Sequence, residues 1–220
     1  MFVKIRFIYV MFVVLILIGI MIPFVAVFKK FNNIFRYWTS SMILFLSGIK
    51  TEIIGKPDNK TNIFIVNHKS MMDIMVLEMA TGKKHNLSWV AKVELFKIKY
   101  FGLALSLTNM ISLNREDRKG IIKLLKDVKD RVESKRTIAI FPEGTRYPKN
   151  DFLPFKSGAG IIANKLKLRV QPVVLVNTES FKNMKVIFLD SFDATKEKDW
   201  LQDSRTEMFK VFLENKNITK

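Results

Sequence analysis

The amino-acid sequence predicts an α/β domain with a central, mainly parallel or mixed sheet flanked by helices, preceded by a membrane helix or helical hairpin. From residue 61 onward, short runs of β-branched residues alternate with amphipathic stretches, which is the pattern of strands that alternate with helices. The first part of the chain instead contains a long apolar run without a charged residue. The 220 residues suit one such domain with a short N-terminal segment.

The apolar run extends from residue 7 to residue 28 and predicts a membrane helix. As a helix it would be about 33 Å long, close to the roughly 30 Å of a bilayer's hydrocarbon layer. Lys4 and Arg6 precede the run, and Lys29 and Lys30 follow it. A cleaved signal peptide is the alternative, but the run is long for one and no small-x-small cleavage site follows it.

The next segment, residues 31–49, mixes aromatic residues with Asn32, Asn33 and Arg36, as is typical of the lipid headgroup layer. It predicts a helix in the interface or a hairpin that dips into one leaflet. We expect the protein at the cell inner membrane or cytoplasmic membrane. More Lys and Arg residues follow the apolar run than precede it, which places the domain on the cytoplasmic face if the run spans. We therefore expect residues 1–50 to anchor the protein without taking part in the chemistry, and residues 51–220 to form the catalytic domain.

The remaining elements follow from local hydrophobic patterns. Short apolar runs predict strands at residues 62–66, 87–91, 110–113, 137–141, 170–176 and 186–189. Helical periodicity predicts helices at residues 71–80, 93–107 with a break near Gly102, 116–131, 158–166 and 200–213.

Composition limits the possible partners and chemistry. The formal net charge of +17 indicates an anionic partner, which is a nucleic acid, an anionic lipid or an acidic protein. The 19 Phe and 11 Met residues favour lipid, and no nucleic-acid motif is present. The chain has no Cys, which excludes disulfides and a cysteine nucleophile, and its two His residues argue against a metal site.

Two polar motifs follow predicted strands, where α/β folds place ligand-binding groups. After the first strand, His68 precedes Asp73 by five residues, and a carboxylate at this distance can hold one imidazole nitrogen while the other accepts a proton. After the fourth strand, Phe141-Pro142 precedes Glu143, Gly144, Thr145 and Arg146 in immediate succession, and an arginine can bind phosphate through two hydrogen bonds. Taken singly, an ordinary helix start explains the first motif better than catalysis does, and an ordinary strand-exit turn explains the second motif about equally well.

Together the motifs resemble the phosphate-lipid acyltransferase family. That family has His-x4-Asp, then a strand that ends in Arg, then Phe-Pro-Glu-Gly-Thr-Arg, then an apolar strand that contains Pro. In this chain Arg115 ends the second block and Pro172 lies in the fourth, and the ordered resemblance covers residues 62–176. Asn109 and Ser112 stand where the family usually has Gly and an aromatic residue, and Asn tolerates the unusual backbone angles of such a turn.

The resemblance implies an acyltransferase domain that moves a fatty acyl group from a thioester of acyl carrier protein or coenzyme A, with no cofactor and no metal. The acceptor would be the sn-2 hydroxyl of 1-acylglycerol 3-phosphate, giving phosphatidic acid for phospholipid biosynthesis at the membrane. His68 would be the general base and Asp73 its partner. The residues that would bind substrate are Arg115, Glu143, Gly144, Thr145 and Arg146.

Several alternatives stay open. The acceptor could be another lysophospholipid or a lyso-amino-acid lipid, and a basic membrane-binding protein without activity would also explain the charge. Ser70 is a second candidate nucleophile, and backbone N–H groups near Gly144 are candidate donors to an oxyanion. We expect Lys69 and Lys156 to be solvated and His85 to be a loop residue.

Overall fold

A computed structural model describes residues 2–114 and 120–216 of the chain, with side chains from residue 5 onward. One mixed sheet of eight strands carries seven strands in the order β1-β7-β6-β2-β5-β3-β4, and β8 pairs with β6. The strands are β1 (Lys50–Ile54), β2 (Ile63–Val66), β3 (Leu87–Lys92), β4 (Ile111–Leu113), β5 (Thr137–Ile140), β6 (Arg169–Val176), β7 (Asn183–Phe188) and β8 (Phe192–Asp193). All pairings are parallel except β6 with β7 and β6 with β8, which confirms the predicted α/β fold.

Eight α-helices occur in the described residues and cover both faces of the sheet. They are α1 (Phe2–Val27), α2 (Asn32–Leu46), α3 (Met72–Thr81), α4 (Val93–Phe96), α5 (Phe101–Leu107), α6 (Gly120–Glu133), α7 (Gly158–Lys165) and α8 (Trp200–Asn215). Side chains alternate along a strand, so β2 buries Phe64 and Val66 on one face and Ile63 and Ile65 on the other. The first pair packs in the cluster that contains residues of α1, α2 and α3, and the second pair packs with residues of α6, α7 and α8.

The sheet order brings the two polar motifs together. Strands β2 and β5 are parallel neighbours, with Ile65 opposite Ile140. Their carboxyl ends lie at the same edge, so the turn after Val66 and the turn after Ile140 are adjacent. A backbone hydrogen bond from Tyr147 N–H to the His68 carbonyl, at 2.8 Å, joins the two segments.

The apolar helix α1 packs along the domain over most of its length. Near its start, Arg6 donates to the carbonyl of Phe181, and near its end Val25 packs in a buried cluster with Ala104 of α5. Val10 and Val14 lie between them in the main core cluster. Residues 5–27 are long and apolar enough to cross a membrane, and only the side of the helix that carries Val10, Val14 and Val25 is buried against the domain.

The structure contains two strands beyond those predicted from the sequence. Strands β1 and β8 were not predicted, because each is a short run of mixed polarity. Each forms a strand by pairing with a neighbouring strand, β1 with β7 and β8 with β6. The break predicted near Gly102 is confirmed, and it separates α4 from α5. A Cβ atom at Gly102 would lie 2.0 Å from the carbonyl oxygen of Phe96, so glycine permits the close approach of the two short helices.

Candidate active site

His68 and Asp73 form a hydrogen-bonded pair at the end of β2. His68 lies in the turn after the strand and Asp73 in the first turn of α3. The distance between His68 Nδ1 and Asp73 Oδ2 is 2.7 Å. The Asp73 side chain is fully buried, whereas the His68 side chain is 15% exposed and lines a cavity. This arrangement assigns Nδ1 to the carboxylate and leaves Nε2 for a ligand.

Four donors fix the Asp73 carboxylate. Oδ2 accepts the backbone N–H groups of Lys69 at 2.7 Å and Ser70 at 2.9 Å, in addition to the bond from His68. Oδ1 accepts the hydroxyl of Thr178 at 2.5 Å. A buried carboxylate needs such partners, because an unpaired charge in the protein interior is strongly unfavourable.

Glu143 supports the turn that carries His68. Its Oε1 accepts the backbone N–H of His68 at 2.7 Å, and its Oε2 accepts the backbone N–H of Leu153 at 2.8 Å. The residue is 1% exposed. Burial raises the pKa of the Glu143 carboxyl, and the two backbone hydrogen bonds oppose that shift. The resemblance implies substrate binding for Glu143, but the structure directs both carboxylate oxygens to backbone groups.

The rest of the second motif forms one edge of the cavity. Gly144 has a φ of +76°, a conformation that favours glycine, and its N–H donates to the Phe141 carbonyl at 3.0 Å. That N–H therefore lies within the turn rather than facing a ligand. Thr145 and Arg146 are exposed and line the cavity beside His68. Arg115 lies outside the described residues.

The cavity has a volume of about 320 Å³ and a mainly apolar wall. His68 and residues 144–146 contribute polar groups to its lining, and α1 and α2 contribute part of the wall. The lining residues from these two helices are Ile18, Met21, Arg36, Thr39 and Ser40. The N-terminal segment, which the sequence predicts to anchor the protein, therefore also contributes side chains to the wall of this cavity. Local sequence patterns could not reveal this contact between distant segments.

A stack of aromatic rings connects His68 to a buried ion pair in the cavity wall. The His68 ring lies on Phe141 with a centroid distance of 3.7 Å, and Phe141 stacks on Trp89 at 5.2 Å. Trp89 Nε1 donates to Glu78 Oε1 at 2.8 Å, and the Arg36 guanidinium pairs with the same oxygen. Burial raises the pKa of Glu78 and lowers the pKa of Arg36, while their mutual attraction opposes both shifts.

Three other candidate residues have structural partners. The Ser70 hydroxyl donates to the Thr178 carbonyl at 3.0 Å and accepts the Met72 N–H at 3.0 Å. These two hydrogen bonds argue against Ser70 as a nucleophile that His68 activates. Lys69 is buried, not solvated as expected, and its ammonium donates to the carbonyls of Lys149 and Asp151. His85 is buried against Thr137, with 3.0 Å between Nδ1 and the hydroxyl oxygen. Lys156 is exposed, as predicted.

Comparison with known proteins defines the class of this domain. The family model described as Acyltransferase matches residues 50–176, which is more than half of the chain. A 1-acyl-sn-glycerol-3-phosphate acyltransferase of Helicobacter pylori is 36% identical over 223 aligned positions, covering 96% of this chain and 93% of that protein. The chain therefore belongs to the acyltransferase family and is a transferase, as the sequence motifs predicted.

More distant relatives extend the comparison. The protein named 1-acyl-sn-glycerol-3-phosphate acyltransferase beta in Homo sapiens is 31% identical over 134 residues, which is 60% of this chain and 48% of that protein. The chain thus matches about half the length of that relative. The crystal structure of PlsC, the 1-acyl-sn-glycerophosphate acyltransferase of Thermotoga maritima, has the same fold with a TM-score of 0.63. It is 21% identical, and 95% of each chain is covered.

Proposed function

We propose that this acyltransferase moves a fatty acyl group from a thioester donor to the sn-2 hydroxyl of 1-acylglycerol 3-phosphate, with phosphatidic acid as the product. The observation that carries the proposal is the His68–Asp73 pair, which lies beside Arg146 at the polar edge of an apolar cavity. The name and near-full coverage of the Helicobacter pylori relative support this acceptor.

The chemistry requires a base, because the acceptor hydroxyl is a weak nucleophile at neutral pH. His68 Nε2 takes the hydroxyl proton as the hydroxyl oxygen attacks the thioester carbonyl, and a tetrahedral oxyanion forms. Asp73 holds the Nδ1–H tautomer and stabilises the imidazolium. When the oxyanion collapses, the carbon–sulfur bond breaks and the leaving thiolate takes the proton from His68. The acyl group passes directly to the acceptor, so no covalent acyl-enzyme is involved.

The acceptor phosphate is assigned to Arg146, together with Arg115 by resemblance. Arg146 is exposed at the cavity edge within the same turn as Glu143, which braces the His68 turn. A guanidinium at this place can bind phosphate through paired hydrogen bonds and so position the hydroxyl near Nε2.

Arg146→Ala is expected to raise the acceptor KM by about 10–100-fold, because charge-assisted hydrogen bonds to phosphate are lost. The donor KM should change by no more than about twofold. Lys149→Ala is the matched control, since it removes an equal charge from an exposed side chain of the same loop. If Arg146→Ala weakened only donor binding, the phosphate assignment would be wrong.

A panel of acceptors tests the proposed substrate. The purified protein is given a labelled acyl donor, as acyl carrier protein thioester and as coenzyme A thioester, with 1-acylglycerol 3-phosphate or with lysophospholipids whose phosphate carries a headgroup. A lyso-amino-acid lipid completes the panel. We expect the highest kcat/KM with 1-acylglycerol 3-phosphate. Preference for another acceptor would replace the proposed substrate, and binding of vesicles without transfer to any acceptor would contradict the enzymatic function.

The contacts of α1 support a location in the plane of one leaflet, and the basic residues that follow the apolar run favour the cytoplasmic side of the membrane. Arg6 and Val25 both contact the domain, and the helix between them is about 29 Å long, which nearly equals the hydrocarbon thickness. A spanning helix would separate these contacts by a whole bilayer. The side of α1 that faces away from the domain presents a stripe of exposed apolar residues to lipid: Ile5, Ile8, Phe12, Leu15, Ile16, Ile20, Phe24 and Val27.

Single-cysteine labelling distinguishes the two topologies, and the absence of native Cys makes the background clean. Lys4→Cys and Lys30→Cys place a thiol at either end of α1. In sealed inverted vesicles, we expect an impermeant maleimide to label both positions from the cytoplasmic side. If Lys4→Cys were labelled only after the vesicles are permeabilised, α1 would span the membrane. Lys149→Cys is the control, because its labelling shows on which side the domain lies.

A further inference from the structure

Thr178 belongs to a segment that the mechanism above leaves unused. Thr178 is the first residue of a short 3-10 turn, Thr178–Ser180, between β6 and β7. This turn lies beyond the residues that the family model matches. The residue is fully buried. Its hydroxyl donates to Asp73 Oδ1 at 2.5 Å, across 105 positions of sequence.

The two oxygens of Asp73 have different surroundings. Oδ2 accepts from His68 and from the backbone N–H groups of Lys69 and Ser70. Oδ1 is held by Thr178, which comes from another part of the fold. Because Asp73 is fully buried, water does not readily replace that hydroxyl. The Thr178 hydroxyl therefore restrains rotation of the carboxylate about its Cβ–Cγ bond.

The segment around Thr178 is fixed in an unusual backbone conformation. Asn177 and Phe181 flank the turn and both have left-handed backbone angles, with φ values of 59° and 54°. Such conformations persist where surrounding contacts over-determine them, and they are common at functional sites. The Ser70 hydroxyl donates to the Thr178 carbonyl at 3.0 Å, and Arg6 Nε donates to the Phe181 carbonyl at 3.0 Å. The turn is thus tied both to the His68 loop and to the lipid-facing helix α1.

We propose that Thr178 is a positioning residue for acyl transfer, which acts by holding the Asp73 carboxylate so that Oδ2 stays aligned with His68 Nδ1. The inference rests on the proposed function of the His68–Asp73 pair. Thr178 does not touch the reacting atoms; it acts through Asp73. Loss of the hydroxyl removes the hydrogen bond that holds Oδ1 and weakens the restraint on the carboxylate, so His68 is then held less often in the tautomer that accepts a proton at Nε2.

Two reciprocal substitutions separate the hydroxyl from the packing of Thr178. Thr178→Val keeps the side-chain volume and removes the donor, whereas Thr178→Ser keeps the donor and removes a methyl group. We expect Thr178→Val to lower kcat by about 10–100-fold, with each KM changed by about twofold or less, because a hydrogen bond to a charged group is lost. Thr178→Ser should retain kcat within about threefold of the original value. The opposite ranking, with Val active and Ser impaired, would assign Thr178 to packing and overturn the proposal.

A mutant cycle with Asp73 tests whether Thr178 acts through that residue. In an Asp73→Ala background we expect Thr178→Val to cause no further fall in kcat, since both changes disable the same pair. A full additional 10–100-fold loss in that background would overturn the proposal. If Thr178→Val does not fold, Thr178→Cys supplies a weak donor of similar size, and its kcat should fall below that of Thr178→Ser; equal kcat values would overturn the proposal.

His68→Ala separates this inference from the function on which it rests. Normal transfer by His68→Ala would remove the proposed mechanism itself. Loss of transfer in His68→Ala, together with unchanged kcat in a folded Thr178→Val, would leave that mechanism intact and overturn only the role of Thr178.

Discussion

His68→Ala is expected to lower kcat by about 10²–10⁴-fold, and by more if the acceptor hydroxyl also loses its orientation. In the proposed mechanism Nε2 of His68 takes the acceptor proton, because Nδ1 is engaged by Asp73 at 2.7 Å. The protein should remain folded, since the side chain lies at the cavity edge and is 15% exposed. The measurement is initial transfer velocity with saturating donor and acceptor, alongside circular dichroism and vesicle binding.

Asp73→Asn should be nearly as damaging, because the amide N–H₂ group can donate to Nδ1 and thereby favour the wrong imidazole tautomer. His85→Gln provides the matched control: it removes the chain's other histidine, which is buried beside Thr137 and does not line the cavity. Near-normal kcat in His68→Ala, or an equal loss in His85→Gln, would refute His68 as the base.

The His68–Asp73 pair could be predicted because its geometry is local. A strand end and the first turn of the following helix place the two side chains five residues apart and on one side of the turn. The parallel pairing of β2 with β5 then brings the second motif beside them, because the carboxyl ends of neighbouring parallel strands lie at the same edge of the sheet. The positive φ of Asn109, at 58°, likewise follows the tolerance of Asn for that conformation.

Contacts between distant segments could not be predicted in the same way. Arg36 and Glu78 are 42 positions apart, and Thr178 and Asp73 are 105 positions apart, so hydrophobic periodicity carries no information about either pair. Lys69 was misjudged for a related reason, because its partners are carbonyl groups of the loop that contains Lys149. A partial signal existed for Glu78: it is an acidic residue within the mostly apolar helix α3, and a buried carboxylate needs a partner.

Arg36→Met is expected to destabilise the protein by about 3–5 kcal/mol, because it leaves the Glu78 carboxylate buried without its counter-ion. Arg36 and Glu78 are each 5% exposed, so water cannot readily take the place of the lost partner. For a chain of this size, the loss corresponds to a fall in Tm of about 6–20 °C. Thermal unfolding in detergent gives the measurement, with Lys30→Met as the control that removes an exposed charge from the same N-terminal segment.

The destabilisation of Arg36→Met should also depend on pH in a defined direction. Burial already raises the pKa of Glu78, and removal of Arg36 removes the attraction that opposes this shift. A carboxyl whose pKa is higher in the folded state than in the unfolded state stabilises the fold below its unfolded pKa, and that stability is lost as pH rises through the folded pKa. The Tm deficit relative to the original protein should therefore be largest at neutral and alkaline pH and should shrink in mild acid.

A second substitution at Glu78 tests whether the unpaired charge is the cause. Glu78→Gln in the Arg36→Met background keeps an acceptor for Trp89 Nε1 and removes the charge. We expect it to recover most of the lost Tm at neutral pH and to abolish the pH dependence, because replacing a buried ion pair by neutral groups is often nearly neutral for stability. The double variant could instead be as unstable as Arg36→Met at every pH. The loss would then come from the packing of the Arg36 side chain between α2 and α3, and the ion pair would not account for the attachment of the N-terminal helices to the cavity wall.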